Sequence, residues 1–304
     1  LLAERKSDHI ALCAERDVES SDRFSGFARF HFVPQIVSER RFEDVDTSTQ
    51  MFGRRFSYPI LIPGMTGGVA RGEEINRRLA GVAARFNIPM GVGSQRLALE
   101  DPNRHAQIFR IKDSYPDNFV IANIGISELV NAGPQAAELV ARAVDMIGAD
   151  ACAIHYNCLQ ELIQKEGQRD FRGAWQVLRQ VCAATRVPVI VKEVGSGVDV
   201  DSARRIVESG AAAIDIGGRG GTSWGYIEGI RGDNESALVG ESFRDWGIPT
   251  AYALAALRAN NVRLPLIATG GVRHGLDVAK GVALGATAVG IGLPFFRAAL
   301  EGDD

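Results

Sequence analysis

The sequence alternates short apolar runs with helical patterns, and this rhythm constrains the fold more than any single motif. The apolar runs are rich in Val and Ile, as expected of parallel strands that are buried on both faces. They occupy residues 59–63, 88–92, 119–124, 151–154, 187–191, 212–216, 264–268 and 288–291. Amphipathic patterns that predict helices lie between most of these runs, at residues 73–86, 135–147, 171–184, 201–209 and 276–284.

Eight strands that alternate with helices predict an α/β protein, a (β/α)8 TIM barrel with an N-terminal extension. A doubly wound open sheet is the alternative. An open sheet places its ligand groups at one switch point, whereas polar residues follow nearly every apolar run of this sequence. We therefore expect residues 58–304 to form the barrel. Residues 1–57 would form an arm that contributes to the site, within one structural domain overall.

Composition and charge narrow the class of protein. The chain has 304 residues and is 46% hydrophobic, which is enough for a large core. A net charge of -3 provides no basic field for nucleic acid or an anionic membrane, so we expect neither as a partner. No apolar run reaches transmembrane length, and the charged first residues are unlike a signal peptide. The four cysteines form no CxxC pair, which favours reduced thiols in a cytoplasmic protein.

The N-terminal residues are predicted to form an arm that precedes the barrel. Residues 2–16 predict a short helix, and residues 23–49 alternate irregularly, as in an extended segment packed on a larger body. The motif RKSDHI at 5–10 combines two cations with an acid and a histidine. It suits an anion-binding arm, with a solvated helix end as the alternative reading.

The stretch ACAIHYNCLQE, residues 151–161, begins as a buried strand and ends in an imidazole, two amides and a carboxylate. In a β/α barrel these groups, His155, Asn157, Gln160 and Glu161, would point into the mouth, where the active sites of that fold lie. A single carboxylate beside amides suits Mg²⁺ that is held mostly by water and substrate phosphates. Capping of a helix is the alternative role for Glu161.

Glycine-rich turns follow the last two predicted strands, as TGG at 269–271 and GIG at 290–292. The loops at these positions hold a phosphate in many barrels, and glycine lets the backbone approach an anion closely. The sequence therefore predicts a phosphate site between these two turns.

Lys192 ends an apolar run, where an unpaired ammonium group is costly to bury. Two roles are open for it: a Schiff-base nucleophile, or a fixed cation beside an electron-rich cofactor. Its neighbour Glu193 would point the other way and act as a structural partner. The long connection at 219–249 carries Trp224 and Trp246 and predicts either a lid over the mouth or a surface insertion.

The chain resembles the type 2 isopentenyl-diphosphate isomerases, which are FMN-dependent barrel enzymes. The resemblance runs from about residue 5 to the end and is carried by the motifs RKSDHI, PGMTGG, GSQR, ANIG, HYNCLQE, VIVKEVGSG, DIGGRGGTSW and TGGVRHGLDVAKGVALGA. It implies conversion of isopentenyl diphosphate to dimethylallyl diphosphate in isoprenoid biosynthesis, with Mg²⁺ and reduced FMN acting as acid and base. It also implies NADPH or NADH as the flavin reductant, and a homo-oligomer, either a tetramer or an octamer.

The resemblance further implies a role for each matched residue. Metal binding would fall to Glu161, and catalysis to Gln160, Lys192, Trp224, His155 and Asn157. The prenyl diphosphate would contact Arg5, Lys6, His9, Ser94, Gln95, Arg96, His155, Asn157 and Gln160. FMN would contact Met65, Thr66, Gly67, Ser94, Asn123, Lys192, Thr222, Gly270, Gly271, Gly292 and Leu293.

Three departures from the family pattern stand out. The family usually reads HLNPLQE, so that Tyr156 and Cys158 replace Leu and Pro. A Ser is common where Gly217 stands. The family also continues with more helix where this chain ends in EGDD. These departures leave open a paralogue that acts on another prenyl diphosphate. An FMN-dependent oxidoreductase of the 2-hydroxy-acid oxidase type, an IMP-dehydrogenase-like protein and a non-catalytic binder are further alternatives.

Overall fold

The computed structural model describes residues 2–65 and 68–302. Eight parallel strands of the described residues form one sheet, which runs in chain order from the second of these strands to the eighth, and the eighth pairs with the first. A parallel bridge between Ile62 and Met90 joins the two end strands and closes the sheet. The hydrogen bond from the Gly91 N–H to the Ile62 carbonyl, 2.8 Å long, belongs to the same closure. The chain is a (β/α)8 barrel, as the eight apolar runs predict.

Each predicted run contains or overlaps one strand of the barrel. The barrel strands are β3 (Ile60–Leu61), β4 (Met90–Gly91), β5 (Val120–Gly125), β6 (Ala151–Tyr156), β7 (Val189–Glu193), β8 (Ala213–Asp215), β9 (Leu266–Thr269) and β10 (Ala288–Gly290). Two further strands, β1 (Thr49–Met51) and β2 (Arg54–Phe56), pair with each other as an antiparallel hairpin before the barrel.

The helices of the described residues follow the predicted alternation. They are α1 (Leu2–Glu15), α2 (Ala70–Phe86), α3 (Arg96–Glu100), α4 (Pro102–His105), α5 (Ile126–Ala132), α6 (Ala136–Ile147), α7 (Cys158–Ile163), α8 (Ala174–Ala184), α9 (Val200–Glu208), α10 (Trp224–Arg231), α11 (Asn234–Ser242), α12 (Thr250–Ala259), α13 (Gly275–Ala283) and α14 (Leu293–Glu301). Short 3₁₀ helices occur at Phe27–Arg29, Phe42–Asp44, Ala106–Phe109, Ile111–Asp113 and Gly133–Gln135. None of the described helices is long and apolar enough to cross a membrane.

Local signals in the sequence explain where several helices begin and end. The Asp199 carboxylate accepts hydrogen bonds from the backbone N–H groups of Asp201 and Ser202 and caps the start of α9. Gly148 ends α6 in the left-handed region at φ 59, which glycine adopts without a Cβ clash. Such caps turn the chain back toward the next strand within a few residues.

The hydrophobic core has two layers, one between the strands and the helices and one inside the barrel. The hairpin β1–β2 adds Met51 and Phe56 to the inner layer, and the Phe56 ring meets the Phe119 ring edge-on with centroids 5.4 Å apart. Because Phe119 directly precedes β5, the hairpin closes the N-terminal end of the barrel. Polar groups and cavities are therefore left to the C-terminal end.

The N-terminal arm covers part of that open end. Helix α1 contacts α10 and α14, and the Arg297 guanidinium donates to the Cys13 carbonyl at 3.2 Å. Residues 31–47 differ from the expected packed arm, because every one of them is exposed. The alternation of apolar and charged residues there indicates an extended segment correctly, but it does not report what the segment packs on.

The insertion at 219–249 folds over the mouth. It starts and ends at a parallel bridge between Arg219 and Pro249, and it carries the two helices α10 and α11. Its first helix packs on α7 and α11. Of its two tryptophans, Trp224 lines the cavities at the mouth and Trp246 is 61% exposed.

Candidate active site

Two adjoining cavities occupy the C-terminal ends of the strands. One, of about 830 Å³ with its opening to solvent, is lined largely by the glycine-rich loops after β8, β9 and β10, and we name it the glycine cavity. The other, of about 710 Å³, is lined by side chains from α1 and from the loops after β4, β5 and β6, and we name it the polar cavity. Both are bordered by His9, Gly64, Met65, Lys192, Val194 and Trp224.

The glycine cavity depends on backbones that approach each other closely. Gly271 has φ 70, and a Cβ at this position would lie 2.5 Å from the Gly220 carbonyl oxygen. The Thr250 hydroxyl donates to the Gly270 carbonyl at 2.7 Å and holds the same turn. Helix α14 starts at Leu293 beside the cavity, and backbone N–H groups at a helix start favour an anion. This side of the mouth can hold a large apolar group that carries a phosphate.

Lys192 lies where the two cavities meet. Its ammonium group donates to the Glu193 carbonyl at 2.8 Å, which is the only hydrogen bond of that group within residues 2–65 and 68–302. In strand register Lys192 faces Asp215, a buried carboxylate that accepts from the Gly217 N–H at 3.3 Å. Burial raises the pKa of Asp215, and the nearby charge of Lys192 opposes that rise. Sequence reasoning missed Asp215, because an acid in an apolar run carries no distinguishing pattern.

Glu193 organises the loop after β7. One of its carboxylate oxygens accepts hydrogen bonds from four successive backbone N–H groups, those of residues 194–197, at 2.5 to 3.1 Å. Burial raises the pKa of this carboxyl to about 7, and the N–H donors act in the opposite sense. The Glu193 carboxylate thus holds the loop in shape, and Lys192 contacts only the backbone carbonyl of this residue.

The polar cavity gathers the cations of the motif RKSDHI. Arg5 and Lys6 border it from α1. Burial, and then the charge of Arg5, lower the pKa of Lys6 to about 8. The Arg5 Nε atom is buried without a hydrogen-bond partner among the described residues. Two cations whose desolvation is incompletely compensated predict an anionic ligand, because an anion would restore their interactions.

His155 is held in one neutral form. Burial lowers its pKa to about 3, and the charges of Lys192, Lys6 and Arg5 act in the same direction. The Asn123 amide nitrogen donates to the Val92 carbonyl at 2.9 Å, so that its oxygen faces the His155 Nδ1 atom 2.8 Å away. Nδ1 must therefore carry the proton, since an amide oxygen only accepts. Within the described part of the chain, no hydrogen-bond donor meets the lone pair of the His155 Nε2 atom.

Gln160 is oriented by Glu228, a residue that sequence reasoning missed. One oxygen of the buried Glu228 carboxylate accepts from the Gln160 amide at 2.7 Å and from the His9 Nε2 atom at 2.9 Å. The other oxygen pairs with Arg231 at 2.5 Å. Because a carboxylate only accepts, the Gln160 nitrogen faces Glu228, and its oxygen accepts from Asn157 at 3.1 Å.

The charge of Glu228 is secured by these partners. Burial alone would raise its pKa, but the hydrogen bonds from His9 and Gln160 and the charge of Arg231 bring it to about 2. One sequence pattern does point to Glu228. Trp224 and Glu228 are spaced four residues apart on α10, which puts both side chains on one helix face.

Glu161 is buried beside Asn157 at the start of α7. Its carboxylate accepts from the Asn157 amide at 3.1 Å and from the Gln168 N–H at 2.7 Å. The Asn157 Oδ1 atom and one Glu128 oxygen are buried nearby without hydrogen-bond partners among the described residues. In that same part of the chain there is no group of three or more His, Cys, Asp or Glu residues that could hold a metal. The unpartnered oxygens fit a hard cation that takes most of its ligands from water and phosphate.

Comparison with known proteins decides the family. The model of the FMN-dependent dehydrogenase family matches residues 1–115 and 154–304. The isopentenyl-diphosphate delta-isomerase of Nostoc sp. is 43% identical over 300 residues, which are 98% of this chain and 85% of that protein. The enzyme of that name from Archaeoglobus fulgidus is also 43% identical, with the same coverage of both chains. This chain belongs to the isopentenyl-diphosphate delta-isomerase family.

The solved structures similar to this isomerase-family chain show the barrel alone. A mandelate oxidase with (S)-mandelic acid matches 97% of the chain and 82% of its own, with a TM-score of 0.60 and 19% identity. A mandelate oxidase with a monooxide FMN adduct matches 95% of the chain and 82% of its own, with a TM-score of 0.58 and 20% identity. At this identity the likeness extends to the fold and not to the chemistry.

The residues that the sequence analysis assigns to the site lie mostly on the two cavities. The polar cavity is bordered by Arg5, Lys6, His9, Ser94, Asn123, His155, Asn157, Gln160, Glu161, Lys192 and Trp224. The glycine cavity is bordered by Met65, Lys192, Thr222, Trp224, Gly270, Gly271, Gly292 and Leu293. Thr66 and Gly67 lie outside the described residues.

Two of the predicted diphosphate ligands are placed differently. The Gln95 side chain is fully buried, donates to the Ala143 carbonyl at 2.9 Å and accepts from the Asn123 N–H at 3.0 Å. It braces the strand that carries Asn123 and does not border the polar cavity, which corrects the expected contact. Arg96 does not line that cavity itself, but its guanidinium pairs at 3.3 Å with Glu128, which does. The motif GSQR therefore brings only Ser94 to the cavity surface.

The departures from the family pattern have local explanations. Tyr156 stacks on Trp175 with ring centroids 5.9 Å apart, so that the larger side chain packs behind the strand. Burial raises the pKa of Cys158 to about 11, which keeps its thiol protonated and unreactive. At Gly217, where φ is 48, a Cβ would overlap the Glu193 carbonyl, so this backbone does not accept the serine common in the family.

A 2-hydroxy-acid oxidase would need a histidine base paired with an arginine at the late strands, and the late loops do not form this pair. Arg273 borders the glycine cavity, but the next residue, His274, turns outward and caps the start of α13. Its side chain is 62% exposed. A histidine in this position cannot serve as a base at the mouth of the barrel.

Proposed function

We propose that this protein isomerises isopentenyl diphosphate to dimethylallyl diphosphate, in the family of enzymes to which it belongs. The observation that carries the proposal is a polar cavity with two cations and an oriented amide, directly beside a glycine cavity fit for a flavin. An oxidoreductase needs neither the cations on α1 nor the Glu228 clamp on Gln160. Both serve a small anionic substrate that has to be held in one orientation.

FMN is the cofactor that we assign to the glycine cavity. When bound and reduced, by NADPH or NADH in our proposal, it supplies the group that adds and removes a proton at the substrate carbons. Contact would come from Ser94, Asn123, Thr222 and the backbone of the late loops, with the phosphate at the start of α14 and the turn at Gly270 and Gly271. We assign Met65, Gly292 and Leu293 to the same contact, and Thr66 and Gly67 by resemblance.

The cation of Lys192 would stabilise negative charge on that cofactor. The ammonium group has a single described hydrogen bond and lies in strand register with the buried side chain of Asp215, at the border of both cavities. This position beside the glycine cavity supports the fixed-cation role over the Schiff-base role.

The diphosphate would be bound by Arg5 and Lys6, with Ser94, His9, His155 and Asn157 around it. Below pH 8 Lys6 carries its proton and contributes a charge-assisted hydrogen bond. His155 is neutral, so it contributes hydrogen bonds and no charge. Arg96 would act next to this site, through its ion pair with Glu128 at the border of the polar cavity.

Gln160 would contact the reacting carbons with its amide fixed by Glu228 and Asn157, and Trp224 would cover them. His9 and Trp224 meet edge-on, with ring centroids 5.2 Å apart, where α1 approaches α10. This contact limits the access of water to the space between the two cavities. Exclusion of water protects a carbocation-like species from capture.

Mg²⁺ is the metal that we assign beside Glu161. The Asn157 Oδ1 atom and the unpartnered Glu128 oxygen support this assignment, together with the phosphate oxygens of the substrate. We also propose a cytoplasmic homo-oligomer, a tetramer or an octamer. The cysteine pattern supports the location, and the family resemblance supports the assembly.

The test is a turnover assay without oxygen. Protein with FMN, Mg²⁺, one reducing equivalent per flavin and isopentenyl diphosphate is expected to form many equivalents of dimethylallyl diphosphate. Omission of the reductant is expected to stop the reaction. Consumption of one reductant per product would instead identify an oxidoreductase. Turnover of a longer prenyl diphosphate alone would identify the paralogue that Tyr156 and Cys158 leave open.

A further inference from the structure

The most unusual surface of the molecule is the segment formed by residues 31–47, which we name the exposed segment. Every residue in it is exposed, and its one regular element is the 3₁₀ turn Phe42–Asp44. A stretch of this length without secondary structure is uncommon in a compact domain and is usually functional. Its large apolar side chains face solvent to an unusual degree: Phe32 51%, Val33 89%, Ile36 103%, Val37 68%, Phe42 87% and Val45 58%.

The exposed segment is fixed at both ends. On its N-terminal side Phe27 is buried, and its carbonyl accepts from the Lys280 ammonium at 2.9 Å. On its C-terminal side the Thr49 hydroxyl donates to the Thr287 carbonyl at 2.8 Å, at the start of the hairpin that closes the barrel. The segment is therefore held out at a defined position on the barrel, and it does not behave as a free terminus.

We propose that the exposed segment is the surface through which two copies of this chain dock. Monomeric proteins rarely expose contiguous apolar patches larger than about 300–600 Å². The exposed segment presents six large apolar side chains within residues 32–45 of each copy, and a stable interface buries about 800 Å² per partner. A second copy would remove these side chains from water and supply the packing that the single chain lacks.

The charges of the segment favour a second copy over other partners. Arg40 and Arg41 stand beside Glu39, Glu43 and Asp44, and none of these five forms an ion pair within the described residues. Neighbouring charges of both signs are self-complementary in a two-fold contact, where each copy presents the same patch. The acids outnumber the arginines, so that nucleic acid or an anionic membrane would be repelled.

The inference rests on the assembly part of the proposed function and is independent of its catalytic part. The apolar side chains lie on the segment that leads to the closed end of the barrel, and none of them borders either cavity. Substitutions there change no group that we assign to substrate or cofactor. Assembly and activity can therefore be measured separately on the same samples.

The experiment compares molar mass by light scattering after size exclusion, over a hundredfold range of protein concentration. The test variant is Ile36→Asp with Phe42→Asp. The control is Leu238→Asp with Leu276→Asp, two leucines that are 73% and 53% exposed elsewhere. We expect the natural chain and the control to assemble alike, and the test variant to need at least about a hundredfold higher concentration. A monomeric natural chain overturns the assembly, and an unchanged test variant overturns this surface.

A second measurement keeps the inference open to refutation if the test variant does not fold. Hydrogen exchange of the unmodified chain is followed in dilute and in concentrated samples. We expect backbone amides of residues 31–47 to exchange at least about tenfold more slowly in the concentrated sample, because docking removes them from water. Assembly without such protection would show that the copies meet elsewhere.

Discussion

The two cavities at the barrel mouth achieve binding in opposite ways. The glycine cavity is formed by backbone that turns at positive φ and leaves no room for a Cβ, so that shape and N–H groups do the binding. The polar cavity is formed by charged, amide and imidazole side chains, of which His155 and Gln160 are oriented by hydrogen bonds to neighbours. The first leaves no room for an added atom at Gly270 and Gly271, and the second depends on its charges. Substitutions should therefore fail for steric reasons on one side and for chemical reasons on the other.

The largest effect is expected at Gly271. Alanine there would meet the Gly220 carbonyl at 2.5 Å and would be strained at φ 70. We expect Gly271→Ala to lose detectable FMN binding in a fluorescence titration. Gly275→Ala is the matched control, because nothing lies within 4 Å of a Cβ at that position. Equal FMN affinity in both variants would contradict the steric account of the glycine cavity.

Glu161→Gln should have the next largest effect, on the polar side. The amide keeps the shape and loses the charge that we assign to Mg²⁺, so we expect activity to fall by about 10²–10³-fold. The response to Mg²⁺ should disappear with it. Activity is titrated with Mg²⁺ at saturating substrate. A normal Mg²⁺ titration in this variant would remove the metal from Glu161.

Glu228→Gln tests whether orientation of Gln160 matters by itself. The variant amide can rotate its nitrogen toward Gln160 and His9, so that the fixed arrangement of donors is lost. We expect kcat to fall by about 10–100-fold with a smaller change in KM. Glu235→Gln, at an exposed position on the neighbouring helix α11, is the control. Identical kcat in the two variants would mean that Glu228 only holds the fold together.

Lys192 and Asp215 lie where the two cavities meet, and their charges are expected to affect a bound flavin in opposite directions. Lys192→Ala is expected to weaken FMN binding by about tenfold and to lower the potential of the bound flavin, since a stabilising cation is gone. Asp215→Asn should shift that potential in the opposite direction, because an opposing negative charge is removed. Potentials are measured with reference dyes. Unchanged affinity and activity in Lys192→Ala would refute the fixed-cation role.

The smallest effect is a pH dependence set by Lys6. Its pKa is lowered to about 8, so that the ammonium is present below pH 8 and is lost as the pH rises through that value. We expect substrate KM to be flat up to about pH 8 and to rise above it. Lys6→Arg should flatten that rise, because arginine stays protonated. A rise of the same size in both proteins would assign it to another group.

The sequence predicts the fold better than it predicts the site. Eight apolar runs bounded by polar turns leave few architectures, and each run contains or overlaps a strand. The motif HYNCLQE also brings His155, Asn157 and Gln160 together, because they follow one strand in a barrel whose strand ends converge.

The sequence does not predict the roles of residues whose contacts are distant along the chain. Glu228 reaches Gln160 from an insertion, across 68 positions of the chain. Gln95 resembles a ligand in sequence but faces a neighbouring strand and helix, since the side-chain direction after β4 is set by packing. The exposed segment was expected to pack on the barrel. Its alternation of apolar and charged residues indicates an extended backbone but does not identify the surface that the apolar side chains contact.

Detection of the proton transfer is the most direct test of the proposed isomerase activity. Protein, reduced FMN, Mg²⁺ and isopentenyl diphosphate are incubated without oxygen in D₂O, and the prenyl product is examined by NMR. We predict dimethylallyl diphosphate that carries deuterium, with no net loss of reduced flavin. Flavin that is bound and reduced beside untouched isopentenyl diphosphate would contradict the account, and Tyr156 and Cys158 would then be the first positions to revert.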